Sequence, residues 1–263
     1  MSLYLRSSCS SSSGNCLLLW TDHTRVVVDC GLGSMKRTKQ LLKENVGSLL
    51  DIDAVVISHM HTDHIGHYPL RVIQDYGIEI RVHENCLVQL REKHFNGYKF
   101  NSLKLKPFTD RHFRVGDLTF RSFEVPHNPL YPTYGFVIKH ENKKVVIATD
   151  FNSWDNLLGH FIDSDFIFVE SNHDLGLLRR YFNPNSQFHM PNPETSKLLC
   201  SARKNSRKAP QAVMLGHLSL IRNEPDMALR EVESSFENEG IELDFWLLAA
   251  PRLTASEIVR IKR

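Results

Sequence analysis

Apolar residues along the chain fall into two kinds of pattern. Short, nearly continuous apolar runs alternate with stretches whose apolar positions are spaced three and four apart. The first kind reads as strand and the second as helix. The opening predicts strand, turn, strand, turn, strand. Residues 16–20 and 25–28 are β-type runs, and 10–15 is a serine-rich turn containing the hairpin dipeptide Gly14-Asn15. Leu41, Leu42, Val46, Leu49 and Leu50 predict a helix over 35–50. Ala54-Val55-Val56-Ile57 makes 53–58 a strand apolar on both faces, as buried parallel strands are. A helix follows over 68–76, with Pro69 in its first turn and Gly77 past its end. The pattern continues with a strand at 79–83, a short helix at 84–94, and strands ending at Val115 and covering 118–125, 134–139 and 144–149.

The second half returns to alternation. It predicts a strand at 165–170, a helix at 174–181, and a helix opening at Asn192-Pro193-Glu194 with Asn192 as its cap. A strand at 212–215, a helix at 225–238 and a strand at 243–248 complete it. Strands with helices in both halves predict two sheets sandwiched between helices. No linker, repeat or low-complexity tract interrupts the pattern, so 1–263 reads as a single domain.

Composition narrows the function classes. The chain is 41% apolar and 24% charged, which excludes disordered, collagen-like and coiled-coil classes. Lys plus Arg number 32 against 30 Asp plus Glu, a net charge of +2. Such a chain has no global basic field, so nucleic-acid contact would need a local patch. Basic clusters occur at Lys36-Arg37-Thr38-Lys39, at 99–106 with Phe100 interleaved, and at 203–208. Their ordinary reading is a solvated face. No apolar run nears the roughly 20 residues of a spanning helix. The first residues lack the basic and apolar regions of a signal peptide. Cys9, Cys16, Cys30, Cys86 and Cys200 are odd in number and include no Cys-x-x-Cys, which predicts reduced, structural thiols in a cytoplasmic protein. The serine-rich opening lacks a nucleophile elbow, and the segment from Gly31 lacks the spacing of a phosphate loop.

The departure from ordinary composition is 14 histidines. Four metal-ligating residues stand in Ser58-His59-Met60-His61-Thr62-Asp63-His64, directly after the buried strand. Imidazole and carboxylate suit zinc and related divalent cations. In an extended stretch His59 and His61 fall on one side, while Asp63 and His64 turn toward a neighbouring point. One peptide can therefore serve two metals.

This His-x-His-x-Asp-His motif resembles the signature of the metallo-β-lactamase-fold hydrolases, and the likeness extends along most of the chain. The resemblance implies a four-layer αβ/βα sandwich and further ligands at strand ends in a set order. Val125-Pro126-His127, Ala148-Thr149-Asp150 and Leu215-Gly216-His217-Leu218-Ser219 match those places. By this resemblance His59, His61 and His127 hold one divalent metal, Asp63, His64 and His217 hold a second, and Asp150 bridges them. Zinc is the default and manganese the alternative. Asp29 reads as a carboxylate that orients a ligating imidazole.

Within the superfamily the opening Ser-Gly-Asn, the stretch from Phe168 to Asp174 and the closing Gly-His-Leu-Ser are similar to the YycJ/WalJ branch. That branch lies near tRNase Z and the phage anti-Pycsar phosphodiesterases. The resemblance implies a phosphodiesterase in which a metal-bridging hydroxide attacks phosphorus, with Asp63, Glu170 and His189 as catalytic residues. Glu170 and His189 stand where tRNase Z has a glutamate–histidine pair that serves the leaving oxygen. The family's Gly-His-Leu-Ser-Asn is here Phe188-His189-Met190-Pro191-Asn192, so the role of His189, as general acid, phosphate contact or structural residue, stays open. Asn172 and His173 read as supporting residues. The implied substrate is a nucleic-acid end or a cyclic nucleotide, with no membrane partner and with a homodimer as an option. A thioester or lactone hydrolase and a non-catalytic metal-binding module are the rival readings.

Overall fold

The computed structural model describes residues 2–262. Their strands form two seven-stranded sheets. The first sheet takes β1 (Leu3–Ser11), β2 (Gly14–Trp20), β3 (Arg25–Val28), β4 (Ala54–Val56), β5 (Glu79–His83) and β6 (Lys104–Phe108) in sequence order. The last strand, β14 (Val259–Ile261), returns to pair with β1 at its edge. The second sheet holds β7 (Phe113–Val115), β8 (Leu118–Val125), β9 (Thr133–His140), β10 (Lys143–Ala148), β11 (Phe166–Glu170), β12 (Ala212–Gly216) and β13 (Trp246–Ala249), again in order. Strands β3 to β6 and β10 to β13 pair in parallel. Each parallel set therefore presents its carboxyl ends together, where ligands bind in open α/β sheets.

The layering follows from alternation with period two. Val145, Ile147, Phe166, Phe168, Ala212 and Met214 enter a core that spans both sheets. Their neighbours Val146, Ala148, Ile167, Val169, Val213 and Leu215 face the other way. There they pack against α6 (Asn192–Asn205) and α7 (Pro225–Asn238), through Leu198, Leu199, Val232 and Phe236. Helices α1 (Met35–Val46) and α2 (His67–Asp75) cover the first sheet with Leu41, Leu42, Leu70 and Ile73. The result is the expected mixed α/β sandwich of two sheets flanked by helices. No helix among the described residues is long and apolar enough to cross a membrane.

Several expected boundaries move, each for a local reason. The serine run is strand rather than turn: β1 runs through Ser11, only 12–13 turn, and Gly14 and Asn15 already belong to β2. The helix expected over 35–50 stops at Val46. Gly47, at φ 86°, returns its N–H to Lys43 O, and Ser48 caps a separate 3-10 turn over Leu49–Asp51. Residues 84–94 are helical but irregular, passing through 3-10, α (α3, Leu87–Gln89) and π turns. The basic segment 99–106 supplies β6, which pairs with β5. The last parallel strand begins at Trp246 rather than Leu243, because pairing with β12 starts at Ala212↔Trp246. Asn192 is the first residue inside α6, not its cap; its side chain bonds Ser171 and Asn223 instead.

All five cysteines are buried and free. Burial lifts Cys9 and Cys86 to about 12, so both remain inert thiols. The cluster at 203–208 is neutralised in place: Arg203, Lys204, Arg207 and Lys208 pair with Asp244, Glu239, Asp163 and Asp165. Lys106 pairs with Glu79 and Lys39 with Asp75.

Candidate metal centre

Every site residue but His189, which follows the 3-10 turn Pro184–Phe188, is delivered by the carboxyl end of a strand or by the loop after it. Asp29 follows β3, the His59–His64 loop follows β4, His127 follows β8, Asp150 follows β10, Glu170 ends β11 and His217 follows β12. Asp29, Asp150 and His217 take left-handed backbone, at φ 61°, 58° and 52°. This conformation turns the chain sharply off a strand. It costs about 1–3 kcal/mol for a non-glycine residue and persists only where the surroundings enforce it.

The loop is held from several sides. Asn15 N donates to Asp63 O at 2.8 Å and Cys30 N to His64 O at 2.7 Å. Gly31 lies so close that a Cβ there would sit 1.7 Å from Asp63 O, so no other residue fits. From behind, His94 Nε2 donates to Met60 O at 2.9 Å, and His67 Nδ1 donates to His94 O at 3.0 Å. Ser10 Oγ accepts from His217 N at 2.8 Å, which joins the two sheets across the site.

Among the described residues three overlapping donor sets form; one joins Glu170 and His189 to Asp150 and His217, and the remaining two hold the expected ligands. Of these two, one is His59, His61, His127 and Asp150; the other is Asp63, His64, Asp150 and His217. Within each, the donor atoms lie within 4.8 Å of one another. In the first set His61 Nδ1 is 2.8 Å from His59 Nε2 and 3.3 Å from His127 Nε2. Asp150 Oδ1 lies 3.9 Å from both Nε2 atoms. In the second set Asp150 Oδ2 is 3.0 Å from His64 Nε2 and 3.5 Å from His217 Nε2. Asp63 Oδ2 is 3.2 Å from His217 Nε2. Asp150 therefore turns one oxygen to each set.

The outer nitrogens are spoken for, which fixes the tautomers. His127 Nδ1 donates to Phe188 O at 2.9 Å, and His217 Nδ1 to Glu170 Oε1 at 2.8 Å. His64 Nδ1 donates to Asp29 Oδ2 at 2.8 Å. Ser58 Oγ donates to the same carboxylate, and is therefore placed to accept from His59 Nδ1 at 3.1 Å. Each of these four rings presents Nε2 inward, and His61 presents Nδ1. The donor set fits divalent cations on a further observation: buried Asp150 Oδ2 has the ring nitrogens of His64 and His217 within 3.5 Å but receives no well-aligned hydrogen bond. Such an atom is costly to desolvate unless a cation meets it.

Electrostatics divide the two sets. Burial, then the neighbouring His64, pushes His59 well below the usual imidazole range. Burial brings His61 down to about 4 and also lowers His127. For His64 and His217 burial works in the same direction but is outweighed. Asp150, Asp29 and Asp63 raise His64; Asp150, Asp63 and Glu170 raise His217 to about 10. Burial would raise Asp63, yet His64 and a hydrogen bond from His217 hold it far below the carboxylate range.

Beside the second set, Glu170 and His189 meet despite the altered sequence around the histidine. His189 Nδ1 lies 2.7 Å from Glu170 Oε1, and Glu170 Oε2 accepts from Phe151 N at 3.0 Å. Burial opposes charge on Glu170, but the His189 charge and hydrogen bond bring it down to about 2. Burial likewise opposes charge on His189, and the Glu170 carboxylate reverses this and raises it. Asn172 Nδ2 donates to His217 O at 2.9 Å, a positioning contact, and His173 Nδ1 faces Asn172 Oδ1 at 3.3 Å. Sequence reasoning missed the roles of Ser10, Asn15, Gly31 and Ser58. The available signal was polar residues within β-type runs, since Ser10 and Asn15 are buried inside strands. Nothing in the sequence marks Gly31.

Comparison with known proteins agrees with this fold. A family model described as a beta-lactamase superfamily domain matches residues 24–217. The chain is 26% identical over 262 residues to exodeoxyribonuclease WalJ of Streptococcus pneumoniae, covering 96% of each. It is 26% identical over 257 residues to exodeoxyribonuclease YycJ of Bacillus anthracis, covering 91% of each. In fold it is similar to the metallo-beta-lactamase fold protein YhfI from Bacillus subtilis. The TM-score is 0.76 at 17% identity, over 99% of this chain and 100% of that one. The matched span contains both donor sets, Glu170 and His189, and the chain belongs to the beta-lactamase superfamily.

Proposed function

We propose that the protein is a dinuclear-metal phosphodiesterase that releases nucleotides from DNA ends. The observation that carries this is the paired donor set sharing one buried carboxylate, Asp150, in a chain similar to two exodeoxyribonucleases over nearly its whole length. His59, His61 and His127 would hold one divalent cation, Asp63, His64 and His217 the other, and Asp150 both. Zinc suits imidazole and carboxylate donors, with manganese the alternative. Two bound cations would supply Lewis acidity to the phosphodiester and lower the pKa of water.

The chain's own residues do the rest. Asp63 lines the pocket with its side chain 20% exposed and is held as a carboxylate, which places it to orient the attacking water by accepting a hydrogen bond from it. Buried Asp29 and Glu170 keep the rings of His64 and His217 aimed inward. His189, which also lines the pocket, is held as an imidazolium by Glu170. Its Nε2–H is placed to protonate the departing oxygen, as general acid catalysis requires.

The test is metal-reconstituted protein given end-labelled single- and double-stranded DNA and RNA, cyclic mononucleotides, and a thioester and lactone panel in parallel. Stepwise release of mononucleotides from DNA, abolished by chelator, is the expected result. Turnover confined to cyclic nucleotides or to esters would overturn the reading, as would a metal-loaded protein inert on all of them.

A further inference from the structure

The pocket over the donor sets has a volume of about 360 Å³, and Arg222 is the one lysine or arginine in its lining. The rest of that wall is uncharged and polar, with Asn172, Asn183, Asn185 and Ser219. Arg222 Nε donates to Tyr181 O at 2.7 Å, and Nη1 lies 3.4 Å from Ser219 Oγ. Among the described residues it has no carboxylate partner, unlike the arginines and lysines of 203–208. A guanidinium has five donors, so most of this one remains available.

The rim beside it is apolar and exposed. Phe182, next to the lining residue Asn183, is 77% exposed, and Tyr181 is 42% exposed. Arg180 Cζ lies 5.3 Å from the Tyr181 ring centre. Exposed aromatics interleaved with unpaired cations form the pattern that binds single strands: rings stack on bases of any sequence and cations take the backbone. The chemistry of the site gives this pattern a purpose. The donor sets and their cations meet the charge of the phosphodiester being cut. A polynucleotide brings a second phosphate alongside, which needs its own cation. A cyclic mononucleotide has no second phosphate and would leave Arg222 unused.

We infer that Arg222, Tyr181 and Phe182 form the subsite for the nucleotide adjoining the scissile bond. Arg222 takes that nucleotide's phosphate, and the Phe182 ring stacks on its base. The inference rests on the proposed nuclease function and deepens it: the substrate is a polynucleotide strand, unpaired at the end that enters.

Steady-state kinetics of metal-loaded Phe182→Ala, Arg222→Gln and Arg222→Lys test it. Single-stranded DNA is compared with bis(p-nitrophenyl) phosphate, which has one phosphate and no base. Phe182 is exposed, so its removal spares the core, and a thermal melt checks each fold. Phe182→Ala is expected to raise KM for DNA about tenfold, with much less change in kcat. Arg222→Gln is expected to raise KM and to reduce the salt dependence of DNA binding by about one unit of slope, with Arg222→Lys restoring part of both. Losses on DNA should exceed those on the small diester by about tenfold. Equal losses on both substrates, or an unchanged KM for DNA, would overturn the subsite alone. Wild-type protein that turns over the small diester but no DNA would instead overturn the nuclease reading and the subsite with it.

Discussion

The two donor sets draw on one loop and share one carboxylate, yet their imidazoles sit in opposite fields. His59, His61 and His127 face one another, and burial together with mutual repulsion keeps them neutral. His64 and His217 are buried more deeply than His61 and His127 but stand among Asp29, Asp63, Asp150 and Glu170, whose charges override burial. Residue type and burial therefore do not set the protonation state; the strand ends that deliver the carboxylates do. Metal uptake by the second set is therefore expected to displace protons that the first set does not hold.

The strongest way to break this comparison is to remove what the sets share. Asp150→Ala takes one oxygen from each donor set and leaves a space where a buried carboxylate stood. It is expected to lower kcat/KM on DNA by about 10²–10³-fold and to reduce the metal content of both sets. Kinetics alongside elemental analysis of the purified variant checks this. Retained activity with full metal content would show that Asp150 does not join the sets.

A narrower change separates them. Asp29 bonds His64 Nδ1 and Ser58, but touches neither His61 nor His127. Asp29→Asn should weaken metal binding in the second set by about 10–100-fold, the usual cost of losing such a partner. The first set should keep its metal, apart from the smaller effect relayed through Ser58 to His59. Competition titrations with a chromophoric chelator would resolve the two affinities. A uniform loss in both sets would mean that the carboxylate holds the loop as a whole.

The elements behind these contrasts differed in how legible they were. The parallel strands and long helices were readable because their apolar periods are continuous, as in Val145–Ala148 and across α7. The edges were not. β14 has only three residues, and β6 exposes Lys104, Lys106 and Pro107 out of five, so neither carries a sustained apolar period. The donor residues were legible from one dense motif and a set order behind it. The residues that hold the donors in place were not, because their content is distance: Ser10 reaching His217, or Gly31 pressed on Asp63, joins positions far apart in sequence. The basic cluster at 203–208 was read as a solvated face, and its ion pairs were not legible because the carboxylate partners come from other segments.

The finest test of the comparison is proton release on metal uptake. In the metal-free protein His217 is raised to about 10 and His64 is raised as well. His217 is therefore imidazolium through the neutral range, His64 is shifted in the same direction, and a cation must displace a proton to reach His217 Nε2. Uptake in the second set should release at least one proton. Its apparent affinity should climb about tenfold per pH unit for each proton displaced, flattening as pH passes the raised value. In the first set His61 has already fallen to about 4 and His59 and His127 are also lowered. No proton stands in the way above that range, and affinity there should be nearly flat with pH. Calorimetric titration in buffers of contrasting ionisation enthalpy counts the protons for each binding event. Equal counts for the two events would erase the electrostatic distinction. In Asp29→Asn the count for the second event should fall, because the carboxylate that helps keep His64 charged is gone.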